Sequence, residues 1–437
     1  MKTRIALAGL QMPLLGNQVK SGQTANPEVF INQVIGLLNV HVDVVVSGIV
    51  NSPELAEEIC NATESASVDL VVLVAMGAVS PDWAIKTVGK KLPIVIWDVS
   101  TGVHLSHNAD QNVAHEDTST VGAVMIGGGL RLAGREFVII AKSVDDNLSP
   151  VLEAIFFASV ASRMKHINIA RIGGTIPGYI TIQNAAENLT AVGVGISDVS
   201  KEELATSFQE EQRDIGSKGD ASVSLDNAIM KIASKLKADA IAINCHSSFL
   251  RDNNDIGIAA CLTSTNGIPF SCTGDVATAW LLVLVSELAN TALYLEPYSV
   301  DDELEAVFLA NCGIGQKSMA RSGSWKEIPT QFYPGVNGRG TAISMAVEPG
   351  AATYVAVRPS LNSWDVLIFE GEVLIDNLPN FGGAYAYFKP SSMTHREMTG
   401  RLATEGVVHH GALGLGHFEK SIRKLVATYP SLNIHIL

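Results

Sequence analysis

Residues 70–99 read LVVLVAMGAVSPDWAIKTVGKKLPIVIWDV. A continuous Val-rich run, Leu70–Val74, leads through a turn into a helical pattern, Pro81–Lys90, and then into a second apolar run, Pro93–Val99. Short unbroken runs of this kind are what strands covered on both faces require, and such strands belong to parallel sheets. Pro81 stands at the helix start, where a missing N–H costs nothing. Strand, helix and strand together make a βαβ unit. The same alternation extends outward on both sides. Ile5–Leu10, Val42–Ile49 and Phe137–Ala141 read as further strands, and Pro27–Leu38 and Pro53–Ser65 as further helices that begin on proline. Residues 1–141 are therefore expected to form an N-terminal α/β domain on an open parallel sheet.

A second α/β domain is expected over 142–304. Its strands read as His166–Arg171, Thr190–Val194 and Ala238–Ile243, and its helices as Leu148–Met164, Ser200–Glu211, Leu225–Lys237 and Val276–Leu293. The polar run Gln209–Ser222 reads as a loop or lid. Residues 276–295, VATAWLLVLVSELANTALYL, are apolar enough to suggest a membrane span. Glu287 and Asn290 inside the stretch favour a buried helix instead. From 305 to 437 the pattern changes to alternating segments, Thr341–Ala346, Ala352–Arg358, Trp364–Val373 and Gly382–Phe388, which predict an antiparallel barrel or sandwich. A helix, Phe418–Tyr429, and a strand, Leu432–Leu437, end the chain.

Composition narrows the function. At about 150 residues per domain, 437 residues suggest about three domains. Hydrophobic residues are 47% and charged residues 17%, which excludes a disordered chain. The low charge also suggests a surface covered by another subunit. Thirty Lys and Arg against 44 Asp and Glu give a net charge of −14 without a basic run, which argues against nucleic acid and anionic lipid as partners. Cys60, Cys245, Cys261, Cys272 and Cys312 are odd in number and form no CxxC, so a disulfide framework and a structural zinc site are not expected, and a reducing cytoplasm fits. The opening MKTRIALAGLQMPLLGNQ reads as a first strand rather than a signal peptide.

Five segments carry candidate chemistry. Gly127–Arg135 is glycine-rich but has neither dinucleotide-fingerprint nor P-loop spacing, so it is read as helix packing or close approach. Arg171–Tyr179 follows a strand, at the end of an open sheet where ligands bind. Asn244–Ser248 follows another. Asp275, in Cys272–Asp275, can cap the long apolar helix or act at a site. Glu405–Gly411 with His417 places three histidines within nine residues, and histidine is the commonest metal ligand. An Asp and a His with oxygen or water ligands suit Mn²⁺ or a similar divalent ion.

At Thr404–His417 the chain resembles the C-terminal motif of the L-fucose isomerase and L-arabinose isomerase superfamily. Weaker resemblances are collinear with it: Gly9–Gln11, Asn112–Asp117, Cys272–Val276 and Gly313–Lys317. The resemblance implies two parallel-sheet αβα domains followed by a β-barrel domain, and a homo-oligomer, a trimer or hexamer, with active sites at subunit contacts. It implies Mn²⁺-dependent aldose–ketose isomerisation of an open-chain sugar through a cis-enediol. Carried over by position, Asp275 and His410 are metal ligands, and Asp275 is also the catalytic carboxylate. Gln11 and His115, within resembling stretches, are expected to contact the substrate, together with Thr175 and Tyr179 of the loop after the strand and His409. Two ligands of the family pattern are absent. Ser248 stands where the fucose branch has a glutamate, and Ala310–Cys312 where the arabinose branch has a histidine. His246, next to Ser248, is the candidate replacement as ligand and base. The same metal-enediolate logic serves an epimerase or lyase, and loss of ligands also fits a non-catalytic sugar-binding or regulatory protein. Arg171, Arg321, Arg339 and Lys317 leave an anionic sugar open.

Overall fold

The computed structural model describes residues 2–12, 26–89, 91–100, 118–183, 185, 189–190, 193–215, 221–245, 268–329, 341–360, 363–375 and 381–437. The chain divides into two compact units, Met1–Arg163 with Ala427–Tyr429, and Met164–Val426 with Pro430–Leu437.

The first unit is a five-stranded parallel sheet. Its strands are β1 (Arg4–Leu10), β2 (Asp43–Val50), β3 (Leu70–Ala75), β4 (Ile94–Asp98) and β5 (Phe137–Ala141), in the order β2-β1-β3-β4-β5. Its helices are α1 (Pro27–Asn39), α2 (Pro53–Ser65), α3 (Pro81–Val88), α4 (Ser119–Leu132) and all but the end of α5 (Ser149–Lys165). The three prolines sit in the first turns of α1, α2 and α3 as expected, and Asn26 and Ser52 cap α1 and α2 by accepting from the N–H groups of Val29 and Leu55. Central strands β3 and β4 are buried throughout, whereas the edge strands β2 and β5 are half exposed. The core joins alternate residues of β1, β3 and β4 to Ala56, Ala84, Val88, Ala123, Ile126 and Leu130 of α2, α3 and α4.

The glycine-rich run Gly127–Arg135 is resolved by this packing. Gly127, Gly128 and Gly129 lie inside α4 and Gly134 just beyond its end; a Cβ on Gly129 would stand 2.5 Å from Pro81 Cβ, and one on Gly122, earlier in the same helix, 2.0 Å from the Gly77 carbonyl oxygen. Arg135 donates to the Gly89 and Leu92 carbonyls. The segment is a helix-packing surface.

The second unit holds two sheets. The smaller is parallel and contains β6 (Asn168–Ile172), β7 (Gly195–Val199), β8 (Ala240–Ile243) and β9 (Phe270–Ser271), in the order β7-β6-β8-β9. With it come α6 (Ile180–Gln183), α7 (Lys201–Ile215), α8 (Ala221–Leu236) and α9 (Val276–Ala289). The strand expected at Thr190–Val194 is instead the edge strand Gly195–Val199, and α7 runs into the stretch expected to be a loop at Gln209–Ser222.

The larger sheet is mixed. Its strands are β10 (Leu293–Asp301), β11 (Ala306–Ala310), β12 (Lys326–Pro329), β13 (Thr341–Ala346), β14 (Gly350–Ser360), β15 (Ser363–Val373), β16 (Ala384–Pro390), β17 (Gly411–Leu415) and β18 (Ile434–Ile436). Their order is β12-β13-β16-β11-β10-β17-β14-β15-β18, with a further pairing of β15 and β16. The pairings β16–β11–β10–β17–β14–β15 thus return to β16. Two helices lie between these strands in the chain, α10 (His395–Glu405) between β16 and β17 and α11 (Glu419–Thr428) between β17 and β18.

Helix α9 is the shared element of the second unit. Residues Val276–Val285 are all buried, as a helix that is apolar on every side must be. It packs on β8 and β9 from one sheet and on β14 and β17 from the other, with Trp280 stacked on Trp364 at 4.8 Å. No described helix is long and apolar enough to cross a membrane. The helix expected to run to Leu293 stops at Ala289, because Asn290 adopts the left-handed conformation (φ 62°), and the chain turns into β10.

Candidate metal centre

The cluster is built by one strand pairing and one helix cap. β10 and β17 run antiparallel, with Leu293 opposite Leu413, Tyr294 opposite Ala412 and Leu295 opposite Gly411. One further step brings Glu296 level with His410. The Glu296, His409 and His410 side chains each offer one ligand atom, all within 4.8 Å of one another. His410 Nε2 lies 3.9 Å from Glu296 Oε1.

The other nitrogen of His410 faces α9. Its Nδ1 is 2.7 Å from Asp275 Oδ2, and both side chains are fully buried. Asp275 is the N-cap of α9. Oδ1 accepts from the backbone N–H groups of Ala277 (3.0 Å) and Thr278 (3.1 Å), and Oδ2 accepts from Thr278 Oγ1 (2.6 Å). An ionised carboxylate only accepts, so Nδ1 carries the proton and Nε2 carries the lone pair. His410 Nε2 is buried with no hydrogen-bond partner among the described residues. Its lone pair points at the place that Glu296 and His409 share. Burial opposes ionisation of Asp275, but the His410 contact and the Thr278 hydrogen bonds hold its carboxyl below the usual range.

The tight turn before α9 fixes this geometry. Thr273 and Gly274 both have positive φ (60° and 71°), and a Cβ on Gly274 would stand 2.0 Å from the Gly174 carbonyl oxygen. The turn therefore packs directly on the loop that carries Thr175 and Tyr179. Tyr179 meets His409 edge-on at 5.5 Å, His409 stands 3.7 Å from His410, and His410 stands 4.8 Å from Tyr294, measured between ring centroids. The rings run from exposed Tyr179 to buried Tyr294. Tyr294 also donates to Glu296 Oε1 at 3.3 Å. Burial pushes the Glu296 carboxyl up, aided by the Cys245 and Asp275 charges and opposed by His410 and Tyr294. Desolvation, with His410 beside it, pulls the His409 imidazole down to about 4.

Of the residues expected at the site, Asp275, His409, His410 and Tyr179 converge, and Thr175 borders them on the packed loop. Asp275 stands behind His410 as its orienting partner, with four donors on its two oxygens, and the carboxylate in the donor cluster is Glu296. Sequence reasoning missed Glu296 because the helix was read through to Leu293. The alternation Tyr294, Glu296 on one strand face was the available signal. His115, His246, Ser248 and Arg339 lie outside the described residues. Gln11 belongs to the first unit, buried after β1, with its N–H on the Val50 carbonyl at 3.2 Å. Arg171 is taken by a two-pronged pair with Asp198. His417 is 3.0 Å from the Gly371 carbonyl oxygen through Nε2. Asn311, within the Ala310–Cys312 stretch, is fully buried and ties the turn after β11.

One carboxylate oxygen and two imidazole nitrogens suit a borderline divalent cation, Mn²⁺ among them. The buried lone pair of His410 fits such an ion, because an uncompensated buried acceptor is costly and a ligated one is not. No family model matches this chain, and no curated protein matches it.

Proposed function

We propose that this chain is a divalent-metal-dependent aldose–ketose isomerase. The observation that carries the reading is His410, whose buried and unpartnered Nε2 faces Glu296 and His409 while Asp275 fixes its other nitrogen. Glu296, His409 and His410 would hold the ion, which when bound supplies Lewis-acid polarisation of a sugar carbonyl. Glu296 moves the proton between C1 and C2. It is 22% exposed at the side chain, whereas Asp275 is 0% exposed and saturated with donors, so of the two carboxylates only Glu296 reaches a substrate. Tyr179, on the exposed end of the ring series, lies against the sugar. Asp275 acts as a positioning residue.

The resemblance at Thr404–His417 supports membership in the fucose and arabinose isomerase superfamily, and the closed circuit of six strand pairings supports a β-barrel in the C-terminal region. The same reading carries a cytoplasmic homo-oligomer with Mn²⁺ as its metal. The test is metal content after loading with Mn²⁺ and desalting, followed by a panel of aldoses. About one Mn²⁺ per chain is expected, lost in His410→Ala, with exchange of a sugar C–H proton into solvent. A chain that retains no Mn²⁺ overturns the reading.

A further inference from the structure

β5 is the outer strand of the parallel sheet in the first unit, and its far edge pairs with no other strand among the described residues. Edge strands are normally guarded by a bulge, a proline or an inward charge. β2, at the opposite edge, has a bulge: its pairing with β1 slips by one residue at Val45. β5, which reads FVIIA, has none of these guards and runs in unbroken register beside β4. The Lys142 N–H donates to the Asp98 carbonyl at 2.9 Å, on the β4 side. Backbone groups alternate along a strand, so those of Val138 and Ile140 face β4, and those of Phe137, Ile139 and Ala141 face outward.

The side chains of these three residues share the α4 side of the sheet, by alternation from Phe137. A Cβ on Gly127 of α4 would stand 3.4 Å from the Phe137 ring, and the Arg131 guanidinium lies 5.1 Å from its centroid. The outer face of α4 is apolar as well, and Arg131 is the single charged residue of that helix. Val124 is 68% exposed, Leu132 92% and Ile139 45%. Strand and helix thus leave large apolar side chains uncovered on the same side of the sheet, which is what an interaction surface looks like.

The residues around β5 say what covers it. Residues 136–142 read EFVIIAK. Set antiparallel to itself about a two-fold axis at Ile139, this segment puts Phe137 opposite the partner's Ala141, Ile139 opposite the partner's Ile139, and Glu136 opposite the partner's Lys142. The three residues with outward backbone groups then meet one another, so each outward N–H and C=O finds a partner. Opposite charges stand directly across from each other at both ends, where such pairs are favourable. Within its own chain Lys142 comes only to 3.7 Å of Asp146, with both side chains exposed. A two-fold contact of this kind closes on two copies and leaves neither edge open. We propose that β5 joins two copies of this chain, by antiparallel pairing about Ile139, into one continuous sheet with five strands from each copy. The contact draws on nothing in the metal cluster.

The test is sedimentation velocity of the full-length chain, with chelator present. The wild type is expected at an even multiple of the chain mass. Ile139→Lys sets two ammonium groups face to face on the axis and is expected to halve that multiple. Glu136→Lys is expected to weaken the association by about 10-fold, and Glu136→Lys combined with Lys142→Glu to restore it. Mild oxidation of Ile139→Cys is expected to link two chains, because opposed Cα atoms about 5.5 Å apart suit a disulfide. Val45→Cys, on the other edge strand, is expected to give no link. A monomeric wild type overturns the proposal, and so does an assembly whose mass Ile139→Lys leaves unchanged or whose Ile139→Cys chains do not link. The charge exchange separates a lost contact from a lost fold, since failure of the double variant to regain the wild-type mass also overturns the pairing. Mn²⁺ at His410 is measured separately, so none of these outcomes decides the isomerase reading.

Discussion

His410 Nδ1 lies 2.7 Å from Asp275 Oδ2, with both side chains shut away from solvent. The contact couples the start of α9 to the strand β17, and it decides which nitrogen of His410 is free. Asp275→Asn tests that coupling. The amide oxygen can still accept from the Ala277 and Thr278 N–H groups, so the helix cap survives and the stability loss stays near about 1 kcal/mol. The amide nitrogen is a donor, which drives the imidazole proton to Nε2, the metal-facing atom. Affinity for Mn²⁺ is expected to fall by about 10–100-fold. Isothermal titration calorimetry with Mn²⁺ reads this directly, and an unchanged affinity would remove Asp275 from the positioning role.

On the proposed isomerase reading, Glu296→Gln separates the proton carrier from the fold. The two side chains have nearly the same shape, and Gln can still accept from the Tyr294 hydroxyl. The melting temperature should therefore move little. Exchange of the sugar C–H proton with deuterated water should fall by about 10²–10⁴-fold, the usual worth of a positioned acid/base group. Exchange at the wild-type rate in this variant would assign the proton transfer to another residue.

Acid should weaken the metal-free protein through His409. Its folded-state value is about 4, against 6.5 for an ordinary histidine. Between these values the unfolded chain binds the proton and the folded chain does not, so stability rises with pH across that window. The His409 contribution is fully present above about pH 6.5 and is lost as pH falls toward about 4. Thermal melts in chelator across this range should show a steeper acid loss in the wild type than in His409→Gln. Parallel curves for the two proteins would contradict the lowered value of the His409 ring.

The parallel sheet of the first unit was readable because its signals are local. Leu70–Val74 and Pro93–Val99 are continuous apolar runs, and they became β3 and β4 within a residue or so of the expected ends. Prolines marked the helix starts. β7 carries no strong local signal, because it is a half-exposed edge strand, Gly195–Val199, next to the more apolar Thr190–Val194. His410 and Asp275 stood out by residue type and neighbours. Glu296 did not, because its meeting with His410 depends on the β10–β17 register, a pairing across more than a hundred residues that no local pattern encodes. The end of α9 was hidden for a related reason. Asn290 stops the helix by its backbone conformation, while the apolar pattern continues through Leu293 and Leu295 into a strand.

Two glycines should respond in opposite directions to the same substitution. Gly274 has φ 71°, and a Cβ there would stand 2.0 Å from the Gly174 carbonyl oxygen and 3.0 Å from Thr175 Cα, all backbone atoms that cannot rotate away. The left-handed conformation alone costs a residue with a Cβ about 1–2 kcal/mol. The clash must also push apart the turn that carries Asp275 and the loop that carries Tyr179. Gly274→Ala should therefore lower stability by more than about 2 kcal/mol and weaken Mn²⁺ binding with it. Gly400 lies in the middle of the exposed face of α10, with nothing within 4 Å of a new Cβ. Gly400→Ala should raise stability by about 0.5–1 kcal/mol, because alanine has less backbone freedom to lose in a helix. Chemical denaturation of the two variants beside the wild type gives both values. A Gly274→Ala protein as stable as the wild type would mean that the turn and the loop are not packed as closely as 2.0 Å implies, and the link between Asp275 and the Tyr179 loop would fall with it.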